Sequence, residues 1–384
     1  MDYFFSIYSL IYIPLIFSCL IENIKRQKRV MLFWIIILTL FRGLRWECGT
    51  DWPWYEQAFN EIDITNFWRY VTIEDGGDTK VLEVGWGFLL MICHYLFGSY
   101  TAFLLITNAI RFFFIYKISC FFTQKPIICF IAIVVSENFF PVRQDLANVI
   151  FYYGLCWLIA NKGKLYLIYN GIAALIHLSS ITLLPLYWIL KKIKLNFNIY
   201  IIILILSYLL ADIIIPTLIP MLINLTSKFS PQLAFVLSSY YYSIENSEEI
   251  NLSSPIFAFI LNISLFILFY YNLIIRKGYK RLANHVSITE NKQTVLFTLN
   301  AFIISIVINQ LFLREIPPLA RLSSYFTFAV SILFSMYFQS IREVRIKTIA
   351  YFLFILYMLY RYYKHFGFYP ELMFPYRSIF GIIN

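Results

Sequence analysis

The sequence predicts an all-α, polytopic integral membrane protein that forms a single domain over residues 1–384. Of the 384 residues, 60% are hydrophobic and only 14% are charged, and the mean hydropathy is +0.72. An ordinary soluble domain is much more polar than this. Apolar runs of the length that crosses a bilayer recur along the whole chain, and basic residues cluster between some of them. We count about 11–12 transmembrane segments and two larger periplasmic loops.

The net charge of the chain is +10, which in a soluble protein would suggest a nucleic-acid partner. Here the excess cations lie in short loops between apolar runs, where they orient the protein in the membrane, so we predict no nucleic-acid binding. Five of the six cysteines lie in or beside apolar runs and no CxxC pair occurs, so neither a disulfide framework nor a zinc site is predicted. No Gly-rich phosphate loop or metal-binding motif is present, and we predict no cofactor and no metal.

The first segments set the orientation. The apolar run 3–21 is interpreted as a retained span, and the basic stretch 25–29 that follows it should be cytoplasmic, so the N-terminus is predicted to be periplasmic. The second span, 30–44, then emerges at the outer face. The acidic, cation-poor segment 46–83 is the first periplasmic loop.

A pair of spans and a shorter pair follow. Segments 84–98 and 100–117 should form a hairpin with a tight cytoplasmic turn at Gly98, which leaves the next loop outside. Segments 126–140 and 146–160 are shorter, and they either cross fully or turn in mid-membrane as a re-entrant pair, which is allowed where irregular backbone lines a cavity. We favour the re-entrant pair, because it would hold Arg143 near the outer face.

Basic clusters in every second loop mark the cytoplasmic ends of the remaining apolar runs, which should cross the membrane in turn. These spans are 165–190, 198–220, 254–275, 292–312, 319–339 and 348–363. His177 lies inside the first of these spans. Segment 221–253 is the second periplasmic loop. The C-terminal tail, 364–384, is also predicted to be periplasmic.

Several arginines fall at or near the predicted outer boundary, where positive-inside bias makes them unexpected: Arg42, Arg45, Arg314, Arg321 and Arg377, with Arg143 if its pair is re-entrant. An arginine costs ~3 kcal/mol at mid-membrane depth on insertion scales. Snorkelling would explain one such residue, but several from distant parts of the chain indicate an anion site. Guanidinium groups match phosphate oxygens bidentately, so a lipid-linked pyrophosphate is the natural ligand.

The stretch 41–59, FRGLRWECGTDWPWYEQAF, concentrates this chemistry. Arg42 and Arg45 are three residues apart and could grip one polyanion together. Asp51, after a Gly-Thr turn, could act as a general base or orient a cation, while Trp52 and Tyr55 offer rings that stack on sugars. The alternative is an interface anchor of snorkelling arginines and belt aromatics.

Two further side chains are candidates for catalysis. Arg143, in ENFFPVRQDLANVIFYYG, lies at a predicted helix start, where free N–H groups also attract anions. His177, in LIHLSS, could be a general base on a sugar hydroxyl or a phosphate contact, or simply a hydrogen-bonded packing residue. The sequence leaves the base open between Asp51 and His177.

Five motifs in this order resemble the EpsG-type, Wzy-like polymerases of bacterial surface polysaccharide: FRGLRWECGTDWPWY, VLEVGWGFLL, PVRQDLA, IHLSS and FPYRSIF. The resemblance implies an O-antigen or surface-polysaccharide polymerase of the inner membrane. It would be a glycosyltransferase that moves a growing glycan from undecaprenyl pyrophosphate onto another lipid-linked repeat unit at the periplasmic face.

Its expected partners are the lipid-linked oligosaccharide as donor and acceptor and the membrane lipid, with a chain-length regulator left open. Carried over by motif, Arg42, Arg45, Asp51, Tyr55, Arg143, His177 and Arg377 are the expected site residues, and Arg321 is added from the topology. A lipid-linked oligosaccharide flippase and an O-antigen ligase are the alternatives. A flippase should line a cavity reaching both faces with its cations, and a ligase differs only in its acceptor.

Overall fold

The protein is described by a computed structural model that covers residues 6–49, 52–71, 82–137, 139, 142–185, 190, 192–193, 196–228, 238, 253–282, 291–313, 317–367 and 374–383. Nearly all of this chain is helical, which is the predicted class. Asp51, Arg314 and most of the predicted loop 221–253 lie outside the described residues. Within them, three helices are long and apolar enough to cross a membrane (Tyr100–Phe121, Ile256–Ile275 and Asn291–Phe312), and other apolar helices are shorter.

The chain divides into two compact units. Unit 1 comprises Met1–Tyr187, Arg281–Thr289 and Phe334–Asn384, and unit 2 comprises Trp188–Lys280 and Glu290–Leu333. The helices of unit 1 are α1 (Ile7–Phe17), α2 (Ile24–Gly43), α3 (Trp52–Glu61), α4 (Phe67–Val71), α5 (Val84–Phe97), α6 (Tyr100–Phe121), α7 (Pro126–Ser136), α8 (Val142–Ile159) and α9 (Gly163–Ile176).

A 3-10 helix, Leu178–Leu183, follows α9 in unit 1. Unit 2 contains α10 (Phe197–Leu209), α11 (Ala211–Ser227), α12 (Ser253–Phe269), a π-helical turn (Tyr270–Ile275), α13 (Asn291–Phe312), α14 (Pro317–Ala320) and a 3-10 helix (Arg321–Phe326). Helix α15 (Phe328–Ser340) begins in unit 2 and ends in unit 1. Unit 1 closes with α16 (Val344–Gly367) and an antiparallel hairpin of β1 (Tyr376–Ser378) and β2 (Gly381–Ile383).

Contacts at the two ends of unit 1 give the direction of its helices. At one end, here called the Glu22 end, Glu22 forms ion pairs with Lys125 at 2.5 Å and Lys347 at 2.7 Å. At the other, the Arg45 end, Arg45 donates a hydrogen bond to the carbonyl oxygen of Phe139 at 2.7 Å. The segment that contains α7 therefore runs from the Glu22 end to the Arg45 end, in the same direction as α2.

The predicted inner turn at Gly98 is wrong, although Gly98 does end α5 with a φ of 59°. Tyr100, which begins α6, packs its ring on that of Trp52 with centroids 5.0 Å apart, so this turn lies at the Arg45 end. Helix α6 then leads to Lys125 at the Glu22 end, whereas the loop before residue 126 was expected outside. The physical reason is packing along the short helices of this end: the ring of His94 in α5 lies 5.3 Å from that of Phe59 in α3, and Gly87 lies against Val71 of α4.

The preferred re-entrant pair is also wrong, because α7 and α8 together run to the Arg45 end and back. Helix α8 has 18 residues and a length of ~27 Å. Every residue of α7 from Pro126 to Val135 is buried, so this helix is the centre of unit 1. Arg143 nevertheless lies at the Arg45 end, so it is near Arg45 as predicted.

The predicted span 165–190 is broken, so His177 is not inside a span. Helix α9 ends at Ile176, and the 3-10 helix that follows folds back beside it. The Tyr166 hydroxyl donates to the carbonyl oxygen of Leu183 at 3.2 Å and holds this return. His177, with extended backbone, therefore occupies the turn itself.

Candidate functional site

One glutamate joins three separate elements at the Arg45 end. Glu83 precedes α5, and its Oε2 accepts a hydrogen bond from Nη1 of Arg143, at the start of α8, at 2.6 Å. Its Oε1 lies 2.7 Å from Nδ1 of His177 and 3.2 Å from the backbone nitrogen of Leu178. We call Glu83, Arg143 and His177 the carboxylate cluster. Two of its three members were predicted from the sequence.

The carboxylate cluster is partly open to solvent. The side chains of Arg143, His177 and Glu83 are 22%, 24% and 17% exposed, so a ligand can reach them without opening the core. Burial acts to raise the pKa of Glu83, but the hydrogen bond from His177, the charge of Arg143 and the Leu178 N–H together hold that pKa below its usual value. Glu83 is therefore a carboxylate at neutral pH.

A glycine allows the cluster to form. Gly85, two residues after Glu83, lies so close to Leu175, two residues before His177, that a Cβ would be 2.8 Å from the Leu175 carbonyl oxygen. Real Cβ atoms do not approach backbone atoms at that distance. The start of α5 and the end of α9 can meet here only because residue 85 has no side chain.

Helix α3 lays two aromatic rings against two of the arginines. The guanidinium of Arg143 lies 5.8 Å from the ring centre of Tyr55, and that of Arg45 lies 6.0 Å from the ring centre of Trp52. Both distances are in the range of cation–π attraction. Trp52 and Tyr55 are 4% and 7% exposed, so these rings pack inside the protein as well as supporting cations.

A second group of charges, here called the buried network, lies inside unit 1. Nη2 of Arg111 is 2.7 Å from Oε2 of Glu137 and 2.8 Å from Oδ2 of Asp145. Arg42 and Arg45 are close enough to Asp145 for their charges to interact. All five side chains are buried, and the three positive charges of Arg42, Arg45 and Arg111 face two carboxylates, which precede and begin α8.

The two arginines of the stretch 41–59 are more deeply buried than a site at the outer boundary would require. Arg42 is 1% exposed and donates to the hydroxyl of Tyr12 at 3.2 Å, while Arg45 is 3% exposed. Both guanidinium groups also lie over the ring of Phe139, at 5.1 and 5.5 Å. In this conformation they are engaged within the protein, and their role as phosphate ligands stays a prediction.

The C-terminal hairpin completes the Arg45 end. Ser378 of β1 pairs with Arg45 in an isolated β-bridge, and Ile379 donates its N–H to the Leu44 carbonyl oxygen at 3.1 Å. Trp46 donates its N–H to the carbonyl oxygen of Arg377 at 2.9 Å. The Arg377 side chain is exposed and lies 3.5 Å from Glu47, so Arg377 is at the rim of this end.

The structure thus brings Arg143, His177 and Tyr55 together around Glu83, with Arg42, Arg45 and Trp52 beneath them and Arg377 at the rim. Arg321 is an exposed residue of unit 2. Sequence reasoning assigned no role to Glu83, which it counted among the acidic residues of the first loop. The available signal was its place in VLEVGWGFLL, a motif quoted for the family resemblance.

The carboxylate cluster combines a cation, an imidazole and a carboxylate in a partly exposed setting. Such a set can bind an anionic group and accept a proton from a hydroxyl. In the part of the chain that the structure describes, no three His, Cys, Asp or Glu side chains are grouped as metal ligands.

Comparison with known proteins gives one match. A family model described as the EpsG family, a family of Wzy-like polysaccharide polymerases, matches residues 28–378. No curated protein and no solved structure matches the chain. The apolar helices and this match together indicate a membrane protein with a polysaccharide polymerase-like function.

Proposed function

The chain belongs to the EpsG family, and on that premise we propose that it is an O-antigen or surface-polysaccharide polymerase of the bacterial inner membrane. It transfers a growing glycan from its undecaprenyl pyrophosphate carrier onto another lipid-linked repeat unit at the periplasmic face. The Arg45 end of unit 1 then faces the periplasm and the Glu22 end faces the cytoplasm. The sidedness rests on the basic stretch 25–29, which adjoins Glu22.

The observation that carries this proposal is the carboxylate cluster. It places a guanidinium and an imidazole on one carboxylate, both partly exposed, at the end of unit 1 that carries the aromatic residues of α3. Transfer from a lipid pyrophosphate needs a cation for the leaving group and a base for the acceptor hydroxyl. Arg143 and His177 are the two described side chains that meet both needs from one place.

In the proposed step, the acceptor hydroxyl oxygen attacks the anomeric carbon of the donor glycan. The bond between that carbon and the pyrophosphate oxygen breaks, and its electron pair stays on the pyrophosphate, whose charge Arg143 stabilises. The hydroxyl proton passes to Nε2 of His177. One glycosidic bond forms, undecaprenyl pyrophosphate leaves, and His177 returns its proton to solvent.

Arg42, Arg45 and Arg377 are the further candidate pyrophosphate ligands, and Trp52 and Tyr55 the candidate sugar contacts. Because Arg42 and Arg45 are buried, a direct contact from them requires the carrier to displace part of their present surroundings. Arg377, already exposed at the rim, needs no such change. Arg143 is therefore the first arginine to test.

The experiment is a deletion of the gene in its own host, followed by gel analysis of the surface polysaccharide. The deletion is complemented with wild type, R143A, H177A and, as a matched control, R69A at equal protein levels. Arg69 is an exposed arginine on α4, outside the cluster. We expect single repeat units in the deletion, a ladder with wild type and R69A, and no ladder with R143A or H177A.

Two results would overturn the proposal. A deletion strain whose lipid A core carries neither single repeat units nor a ladder would indicate a ligase or a flippase. The side on which the lipid-linked repeat accumulates would then separate those two. A full ladder in both R143A and H177A would remove the carboxylate cluster from the reaction.

A further inference from the structure

We infer that Glu83 is the positioning residue of the site: it fixes the tautomer of His177 and the placement of Arg143 at once. This inference rests on the proposed polymerase function. Glu83 touches neither the acceptor nor the pyrophosphate in the proposed step, and it acts through its two partners.

Glu83 begins a helix, but its side chain does not cap that helix. Glu83 is the N-cap of α5, and its backbone carbonyl accepts the N–H of Gly87 at 2.9 Å, as a cap residue does. The N-cap side chains that turn back to accept an N–H of their own helix are the short ones of Ser, Thr, Asn and Asp. The Glu83 side chain makes no such bond and reaches instead to residues 60 and 94 positions away.

Because a carboxylate can only accept hydrogen bonds, Glu83 determines which nitrogen of the His177 ring carries the hydrogen. A carboxylate has no proton to donate, so the 2.7 Å contact with Oε1 requires that Nδ1 of His177 carry the hydrogen. In the neutral ring, Nε2 on the opposite side is then the nitrogen with the lone pair, which is the one that a general base needs. The Leu178 N–H on the same oxygen fixes the carboxylate against rotation.

The other oxygen of Glu83 orders the cation. The 2.6 Å bond from Arg143 and the Tyr55 ring 5.8 Å from its guanidinium hold that side chain from two directions. The base and the cation are therefore tied to one rigid anchor, so their separation is set before a substrate arrives. Positioning of this kind lowers a barrier because the reacting groups need no further ordering.

The matched control for this role is Glu343. It directly precedes α16, and its backbone carbonyl accepts the N–H of Lys347 at 3.0 Å, so it occupies the same helix-start position as Glu83. Its side chain is exposed. A Glu343→Gln change therefore tests the loss of a charge at a helix start without loss of an anchor.

The test uses the full-length protein in lipid nanodiscs and lipid-linked repeat units extracted from the deletion strain. The kcat and KM of polymerisation are measured for wild type, E83Q, E343Q, H177A and the double variant E83Q/H177A. We expect E83Q to lower kcat roughly tenfold to a hundredfold, which is less than loss of the base itself would cost, since a positioned base supplies ~10²–10⁴-fold. E343Q should match wild type.

Two readouts separate positioning from a structural role. The loss of kcat in the double variant should be smaller than the product of the two single losses, because part of the effect of Glu83 on the chemical step passes through His177. E83Q should also raise KM, since Arg143 loses its anchor.

The outcomes are distinguishable. If wild type forms no polymer from these substrates, the proposed function fails. If wild type is active and H177A is slow, but E83Q keeps the wild-type kcat and KM, only the role of Glu83 is overturned. Multiplicative losses in the double variant would likewise show that Glu83 and His177 act independently.

Discussion

Removal of Arg111 is the sharpest test of the buried network. Arg111 holds two carboxylates at 2.7 and 2.8 Å, and the three side chains are 5%, 7% and 9% exposed. An Arg111→Met change keeps much of the volume and removes the charge. Breaking a buried pair by taking away one partner costs about 3–5 kcal/mol, because the remaining charge has lost its compensation. We do not double this value, since Arg42 and Arg45 still act on Asp145.

The size of the effect can be expressed as a melting temperature. An unfolding entropy of about 2.1 cal/mol/K per residue, taken over the full chain, converts 3–5 kcal/mol into a decrease of ~4–6 °C. The assay is thermal unfolding of the purified protein in nanodiscs, followed by tryptophan fluorescence. The control is Arg69→Met, an exposed arginine, which should stay within ~0.5 kcal/mol of wild type.

A double variant isolates the cause. In Arg111→Met/Glu137→Gln one of the two stranded carboxylates is neutral, so part of the lost stability should return. A double variant that melts below the single variant would refute the charge argument. So would an Arg111→Met protein that melts within 1 °C of wild type, by the same conversion from about 1 kcal/mol.

Three further predictions concern packing and pH. Tyr376→Phe removes a hydroxyl that donates to the buried carbonyl of Phe41, and should lower the free energy of unfolding by about 1–2 kcal/mol in the same melts. Gly43→Ala places a Cβ 2.6 Å from a side chain of α6 and should cost about 1–3 kcal/mol, whereas Gly171→Ala, with open space around it, should be neutral or slightly stabilising. Because the pKa of Glu83 is lowered on folding, its contribution to stability should be present above pH ~4.3 and be lost as the pH falls further. Melts from pH 3.5 to 7 should show a smaller loss in E83Q than in wild type, because other carboxylates with a lowered pKa, such as Glu22, are unchanged.

Much of the candidate site could be predicted because its chemistry is local. The motifs at Arg45, Arg143 and His177 each carry a charged or titratable side chain in an apolar context, which a single sequence reveals. Glu83 could not be recognised in this way. It is one acid among many in a polar loop, and its role depends on Gly85 letting the start of α5 approach the end of α9.

The topology errors have a different origin. The run 84–98 is as apolar as a crossing helix, and hydropathy alone does not reveal that α5 begins and ends at one end of unit 1. Because the run 84–98 was counted as a membrane crossing, the loop before residue 126 was predicted on the wrong side. The cations at Lys117 and Lys125, which flank that loop, were the signal for the other orientation. In the structure Lys125 forms an ion pair with Glu22, which adjoins the basic stretch predicted to be cytoplasmic.

The C-terminal hairpin has a consequence for biosynthesis. Residues 376–379 pair with the backbone at residues 44–46, so a segment made late in translation is stitched to one made early. Until that late segment has left the ribosome, the end of α2 lacks its neighbour. A chain truncated shortly before residue 376 would therefore lack these backbone hydrogen bonds, and its Arg45 end would be unfinished.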